Sequence, residues 1–265
     1  MNKTQTHDRR PIPGVKDMLA VSSGKGGVGK STIATNLAVA LARRGLRVGL
    51  MDSDIYGPNV PGMLGLTARP ELAEDGQTLV PSQTHGLRTI SMGQILERGA
   101  PVIWRGPMLA KMVTQFLYHV AWGELDLMVL DLPPGTGDVQ ITLTQTAPLS
   151  GALIVTTPSD IALEDVRRGA AMFRQTEVPI LGLVENMSWF VCHRCGGTSA
   201  IFGEGGGART AAQLGIPLLA QVPLDTRLRQ ASDTGTVFVD EAPDSPAAQA
   251  LGTLADEVLA RLPRT

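Results

Sequence analysis

"VSSGKGGVGKST", Val21–Thr32, places glycines at 24, 26, 27 and 29 between an apolar run and a segment of helical spacing. Gly24–Ser31 fits G-x-x-x-x-G-K-[ST] in the strand–loop–helix context that pattern requires. The glycines let the backbone wrap closely enough for its N–H groups to face phosphate oxygens, and the following helix adds its positive end. Gly24, Lys25, Gly26, Gly27, Val28, Gly29, Lys30, Ser31 and Thr32 form the expected nucleotide cradle. Lys30 is expected to neutralise the β- and γ-phosphates, and the Ser31 hydroxyl to ligate Mg²⁺. The second lysine, Lys25, lies where the loop bends over the nucleotide and cannot easily reach its own phosphates. It fits either a solvated surface lysine or a cation offered across a dimer interface to a facing copy, the in-trans finger of phosphoryl transfer.

Outward from this loop, short apolar runs alternate with helical patterns. Strands are expected over 18–23, 47–52, 87–92, 125–131, 151–157, 180–186 and 217–223. Helices are expected over 31–45, 107–122, 138–147, 162–176, 207–215 and 245–262. Strands that are apolar nearly throughout point to a sheet covered on both faces. The expected fold is therefore α/β: a doubly wound, mostly parallel sheet with helices on both faces. Residues 1–16 read as a flexible arm and 17–265 as one P-loop ATPase domain. Ligands in such sheets sit beyond the carboxyl ends of the strands.

The bulk composition narrows the partners. A net charge of −2 over 265 residues gives no general attraction to nucleic acid or anionic membrane, and 4% aromatics leave little for base stacking. No apolar run approaches the ~18 residues of a membrane span. The start shows no secretory h-region, so the expected location is cytoplasmic.

Two further loops follow strands. In "MDSDIYGPNVPG" (51–62), Asp52 and Asp54 are expected to face the nucleotide, with Asp54 orienting or deprotonating the attacking water and Asp52 reading alternatively as a turn residue. In "LDLPPGTGD" (130–138), Asp131 is placed to hold the Mg²⁺ shell through water, and Gly135 and Gly137 permit a switch. Asp138 reads equally as a helix N-cap. "NMSWFVCHRCGG" (186–197) contains the only cysteines, Cys192 and Cys195. C-x-x-C is a claw for a soft metal, but a tetrathiolate site needs four sulfurs. An isologous dimer supplies them, for a shared [4Fe–4S] cluster or a shared zinc; redox use of the pair, or two buried thiols, are the alternatives.

"SGKGGVGKST" is similar to the deviant phosphate loop with a signature lysine found in MinD, ParA, ArsA and nitrogenase iron-protein relatives. Together with "DSDIYGPNVP", "DLPPGTGD", "NMS" and the CxxC, it resembles the Mrp/ApbC family of ATP-dependent iron–sulfur carriers. That resemblance implies a homodimeric ATPase bridging a [4Fe–4S] cluster, with apo iron–sulfur proteins and an assembly scaffold as partners, and ATP hydrolysis gating the interface. It makes Lys25 the signature lysine, Asp54 and Asp131 the switch aspartates, and Asn186 the reader of adenine, with Pro223 and Asp225 bordering the base. An amide suits adenine's N6 and N7 edge, and a strand-end turn is the other reading of Asn186. Many family members carry an extra N-terminal domain, whereas the first strand here is expected close to the start. The rival readings are a MinD/ParA-type switch on membrane or DNA and a zinc-bridged structural dimer; the last helix is not notably basic, which disfavours the first.

Overall fold

The computed structural model describes residues 9–55, 57–95, 106–192 and 194–263. The first half of the chain runs β1 (Val15–Ser23), α1 (Lys30–Ala42), β2 (Val48–Asp52), α2 (Val60–Met63), β3 (Glu71–Leu72), β4 (Leu79–Val80), β5 (Ser82–Thr84), β6 (Leu87–Ser91) and α3 (Met92–Ile95). Next come α4 (Gly106–Tyr118), β7 (Leu125–Asp131), α5 (Asp138–Thr146), β8 (Gly151–Thr156) and α6 (Asp160–Gln175). The last part comprises β9 (Ile180–Val191), β10 (Thr198–Ser199), α7 (Gly206–Leu214), β11 (Leu218–Leu224), α8 (Thr226–Thr234), α9 (Phe238–Glu241) and α10 (Pro246–Arg261).

The main sheet has the order β10-β9-β8-β1-β7-β2-β6-β5, with β11 also on β9. All pairs from β6 through β9, and β9 with β11, are parallel; only β5 and β10 join antiparallel. Successive residues of a strand point to opposite faces, so each central strand feeds two cores. Leu19 and Val21 join Ile33, Leu37 and Leu41 of α1 and Leu251 and Leu254 of α10 on one face. Met18 and Ala20 join Phe116 of α4, Leu143 of α5 and Phe173 of α6 on the other. This double coverage is why the strands carry apolar residues without alternation. Each such leucine or isoleucine, fully buried, contributes about 1.5–3 kcal/mol.

The expected fold class and the seven expected strands are present, with several departures. Ile12 is 3% exposed, Tyr118 Oη donates to the Arg10 carbonyl, and β1 opens at Val15. Residues 9–16 therefore belong to the folded body rather than to the expected arm, whose first eight residues lie outside those described. The helix expected to reach 122 stops at Tyr118, because the chain beyond it pairs with β4 through Leu79 N–H to His119 O and Ala121 N–H to Leu79 O. Gly137, not Asp138, occupies the cap position of α5. The strand expected to end at 186 continues to Val191, because β10 and β11 supply partners for its second half. The β3–β4 hairpin, α8 and α9 were not expected; they lie in polar or turn-rich stretches with weak periodicity.

Candidate nucleotide site and thiol pair

Parallel pairing brings three loops together at one edge of the sheet. Val21 is level with Asp131 across β1 and β7, and Asp131 is level with Asp52 across β7 and β2. The phosphate loop and both carboxylates thus share the carboxyl edge, as expected for this architecture. Within the loop, Gly27 and Gly29 take φ of 80° and 83°, a region L-residues avoid. A side chain on Gly24 would run into Asp165 of α6, whereas Gly26 and Gly27 have open space around them. Gly29 caps α1 without a side-chain acceptor, so the first N–H groups of that helix await an outside partner. An anion at a helix N-terminus is such a partner. Thr32 sits in the first turn of α1, and Val28 is buried.

Lys30 is 6% exposed and its Nζ donates to Asp131 Oδ1 at 2.5 Å and to Ser31 Oγ at 3.2 Å. Burial pushes the Asp131 carboxyl up, against the attraction of Lys30 and hydrogen bonds from Lys30 and Ser31. Asp131 Oδ2 is buried with no hydrogen-bond partner. A carboxylate oxygen left over beside a serine hydroxyl is the hard-oxygen donor set a magnesium ion takes, so these residues fit Mg²⁺. Asp52 is 0% exposed and accepts Ser91 Oγ–H at 2.7 Å and Asp54 N–H at 3.1 Å. Burial, and then the charge of Asp131, raise its pKa to about 7. Asp54 is 7% exposed and accepts the Gly57 N–H. The ammonium of Lys25 has no partner among the described residues; the residue's carbonyl accepts the Ser23 hydroxyl.

Asn186 is 3% exposed, and its Nδ2 donates to the Val28 carbonyl at 2.9 Å. The amide expected to read a base thus holds the phosphate loop in this structure. Val222 is level with Asn186, which brings Pro223 to the same end of the sheet. Asp225 caps α8 through the Arg227 N–H and pairs with the Arg227 guanidinium at 2.7 Å.

Cys192 and Cys195 stand on the tight turn that joins β9 to β10. Cys192 N–H donates to Gly197 O and Gly196 N–H to Cys192 O, both at 2.9 Å. Cys192 is half-buried and Cys195 exposed, and both are free thiols. Hydrogen bonds from the Arg194 N–H, then from Cys195, hold the Cys192 thiol below its ordinary pKa. A stabilised thiolate is the metal-binding form of cysteine. Among the described residues no group of three or more His, Cys, Asp and Glu side chains is placed to hold a metal. His193, inside the claw, lies outside the described residues.

A model of the ParA group, described as the NUBPL iron-transfer P-loop NTPase, matches residues 14–259. The chain belongs to this family. It is 48% identical over 259 residues to an iron–sulfur cluster carrier protein of Synechocystis, covering 96% of this chain and 73% of the relative. It is likewise 48% identical to a mitochondrial iron–sulfur protein required for NADH dehydrogenase in Arabidopsis thaliana, covering 94% and 79%. Among solved structures, a nucleotide-binding protein of Archaeoglobus fulgidus in complex with ADP superposes with a TM-score of 0.76 at 38% identity, covering 85% of this chain and 89% of that one. The cell-division ATPase MinD of Pyrococcus furiosus, at a TM-score of 0.68 and 24% identity, shares the fold.

Several residues that shape this candidate site carry no motif signal. Gln140, fully buried in α5, donates from Nε2 to Ser22 Oγ and to Pro133 O, tying the end of β1 to the loop after β7. Ser53 Oγ donates to the Asp131 carbonyl at 2.7 Å and Ser91 to Asp52. They are polar residues inside apolar surroundings, and only the fold reveals whom they meet. No helix of the described residues is long and apolar enough to cross a membrane.

Proposed function

We propose that this chain is an ATP-dependent iron–sulfur carrier that works as a homodimer. Cys192 and Cys195 of two copies hold one [4Fe–4S] cluster as cargo, received from an assembly scaffold and passed to apo-proteins. The observation that carries this reading is the thiol pair on its turn: two accessible sulfurs, one with its pKa lowered by hydrogen bonds, and no group of three or more metal-ligating side chains among the described residues. A soft iron–sulfur cargo needs four such sulfurs, and two-fold symmetry supplies them.

ATP would bind through the loop N–H groups and the start of α1, with Lys30 leaving Asp131 for the β- and γ-phosphates. Pro223 and Asp225 border the base. Ser31 and Asp131 would hold Mg²⁺, which supplies charge neutralisation on the phosphates when bound. Asp54 positions a water for attack on the γ-phosphorus; the bond to the β,γ-bridging oxygen breaks, giving ADP and phosphate. Lys25, whose ammonium has no partner among the described residues, reaches the phosphates of the facing copy and stabilises the leaving charge. Loss of the γ-phosphate then loosens the loops around Asp54 and Gly135, and with them the interface that retains the cluster.

Anaerobic reconstitution followed by iron, sulfide and zinc analysis tests the reading. One cluster per two chains is expected in the native protein, and none in Cys192→Ala or Cys195→Ala, with ADP binding retained in both. A stoichiometric zinc without sulfide, or cluster retained by either variant, would overturn it.

A further inference from the structure

β9 is a single strand that meets the phosphate loop midway along its length and ends at the thiol pair. Where it meets the loop, Asn186 Nδ2 donates to the Val28 carbonyl, and a Cβ on Gly29 would lie 2.2 Å from that nitrogen. Carbonyl and N–H of one planar trans peptide point in opposite directions. Holding Val28 C=O toward β9 therefore turns the Gly29 N–H away from β9, the sense a phosphate-binding loop requires.

The next residue is anomalous. Met187 takes a φ of 57°, in the left-handed region. The other described non-glycine residues with positive φ are His85, in the turn between β5 and β6, and Glu177, just past α6. Met187 alone of the three lies inside a strand. The pairing with β11 breaks at the same place: Val222 faces Asn186 and Leu224 faces Phe190, so three residues of β9 stand against Pro223. Ser188 Oγ closes the bend by donating to Glu185 O at 2.9 Å. From Asn186 to Cys192 the strand spans at most about 20 Å.

We propose that Met187 is a positioning residue that couples the two sites. Its left-handed turn keeps Asn186 on the phosphate loop and sets the direction in which the rest of β9 presents Cys192. A loop that closes on phosphate then shifts the thiol turn, and a thiol turn captured by cargo shifts the loop, since such coupling is reciprocal. The use made of this link rests on the carrier reading above; the link itself is a property of the strand. Left-handed non-glycine residues concentrate where strain is part of a switch, and this one sits between the two sites the chemistry must join.

The test reads the thiols directly. In the metal-free full-length chain, the rate at which iodoacetamide alkylates Cys192 is followed by peptide mass spectrometry, without nucleotide and with Mg-ADP at a concentration saturating for each variant by fluorescence titration. Nucleotide is expected to change the wild-type rate by about fivefold, the low end of ordinary coupling. Met187→Val, whose branched Cβ disfavours the left-handed turn, and Asn186→Leu, which removes the hydrogen bond, are expected to alkylate at one rate with or without ADP. Met187→Asn, which tolerates positive φ, is expected to keep the wild-type response. A wild-type rate indifferent to ADP, or a full response in either Met187→Val or Asn186→Leu, would overturn the proposal. Cluster stoichiometry is read separately. A chain that takes no cluster yet shows coupled alkylation removes the carrier reading and leaves the link standing.

Discussion

At the scale of single residues, the site is a contest between burial and pairing. Asp52, Asp131 and Lys30 share one buried edge, and one lysine does not neutralise two carboxylates. Burial pushes both carboxyls up, and at Asp52 the pKa rises from 3.8 to about 7. The folded chain therefore binds a proton there that the unfolded chain has released. The contribution of this group to stability is complete below its unfolded value of 3.8 and is lost as pH rises toward about 7. Asp52→Asn, which keeps an acceptor for the Asp54 N–H, should remove that dependence. The difference in urea midpoint between variant and wild type is expected to grow in the variant's favour across this window and then level off. A constant difference would show that Asp52 is already ionised in the folded chain. Asp52 was legible in sequence as an acidic residue at a strand end; its protonation was not, because that depends on Asp131 lying level with it on a strand that enters from elsewhere in the chain.

At the scale of elements, the loop between β1 and α1 is held from outside as much as by its own glycines. Asp165 of α6 fills the space a Gly24 side chain would need, and Asn186 of β9 fills that of Gly29. Gly29→Ala meets both a positive φ of 83° and a contact of 2.2 Å with Asn186. The backbone part alone costs about 1–3 kcal/mol. ADP affinity, read by titration with a fluorescent analogue, should fall by at least an order of magnitude, about 1.4 kcal/mol, while α1 and its core contacts persist by circular dichroism. Gly26→Ala, with open space around it, should fall much less. Equal losses at the two positions would mean that external bracing contributes nothing. The glycines were plain in "GKGGVGKS", but which of them is spatially obligatory was not: α6 and β9 are distant in sequence.

At the scale of the whole molecule, two features of one chain are incomplete alone. The thiol pair lacks two sulfurs, and Lys25 lacks an anionic partner among the described residues. In the proposed homodimer a two-fold operation would meet both deficits, which is the physical case for proposing a dimer as the working unit. Mixing inactive variants tests it. Lys25→Ala and Asp54→Ala should each hydrolyse ATP poorly as homodimers. In a mixed dimer, one site combines an intact Asp54 with an intact Lys25 from the facing copy, so mixing is expected to restore activity well above either parent. No recovery on mixing would place Lys25 in the service of its own site.

The amino-acid sequence by itself determined the architecture and the reactive inventory. Apolar runs at strand spacing, a glycine loop between strand and helix, aspartates at strand ends and a closely spaced cysteine pair are local patterns, and local patterns survive in one dimension. What only the tertiary structure decided are the relations between distant segments. These include the Lys30–Asp131 pair, the raised Asp52, the extension of β9 to the cysteines, and the placement of Asn186 on the phosphate loop rather than at a free strand end. The physical reason is that strand order and register set who faces whom at the carboxyl edge, and burial then fixes the strength and protonation of each pairing. Neither quantity is carried by any short stretch of chain.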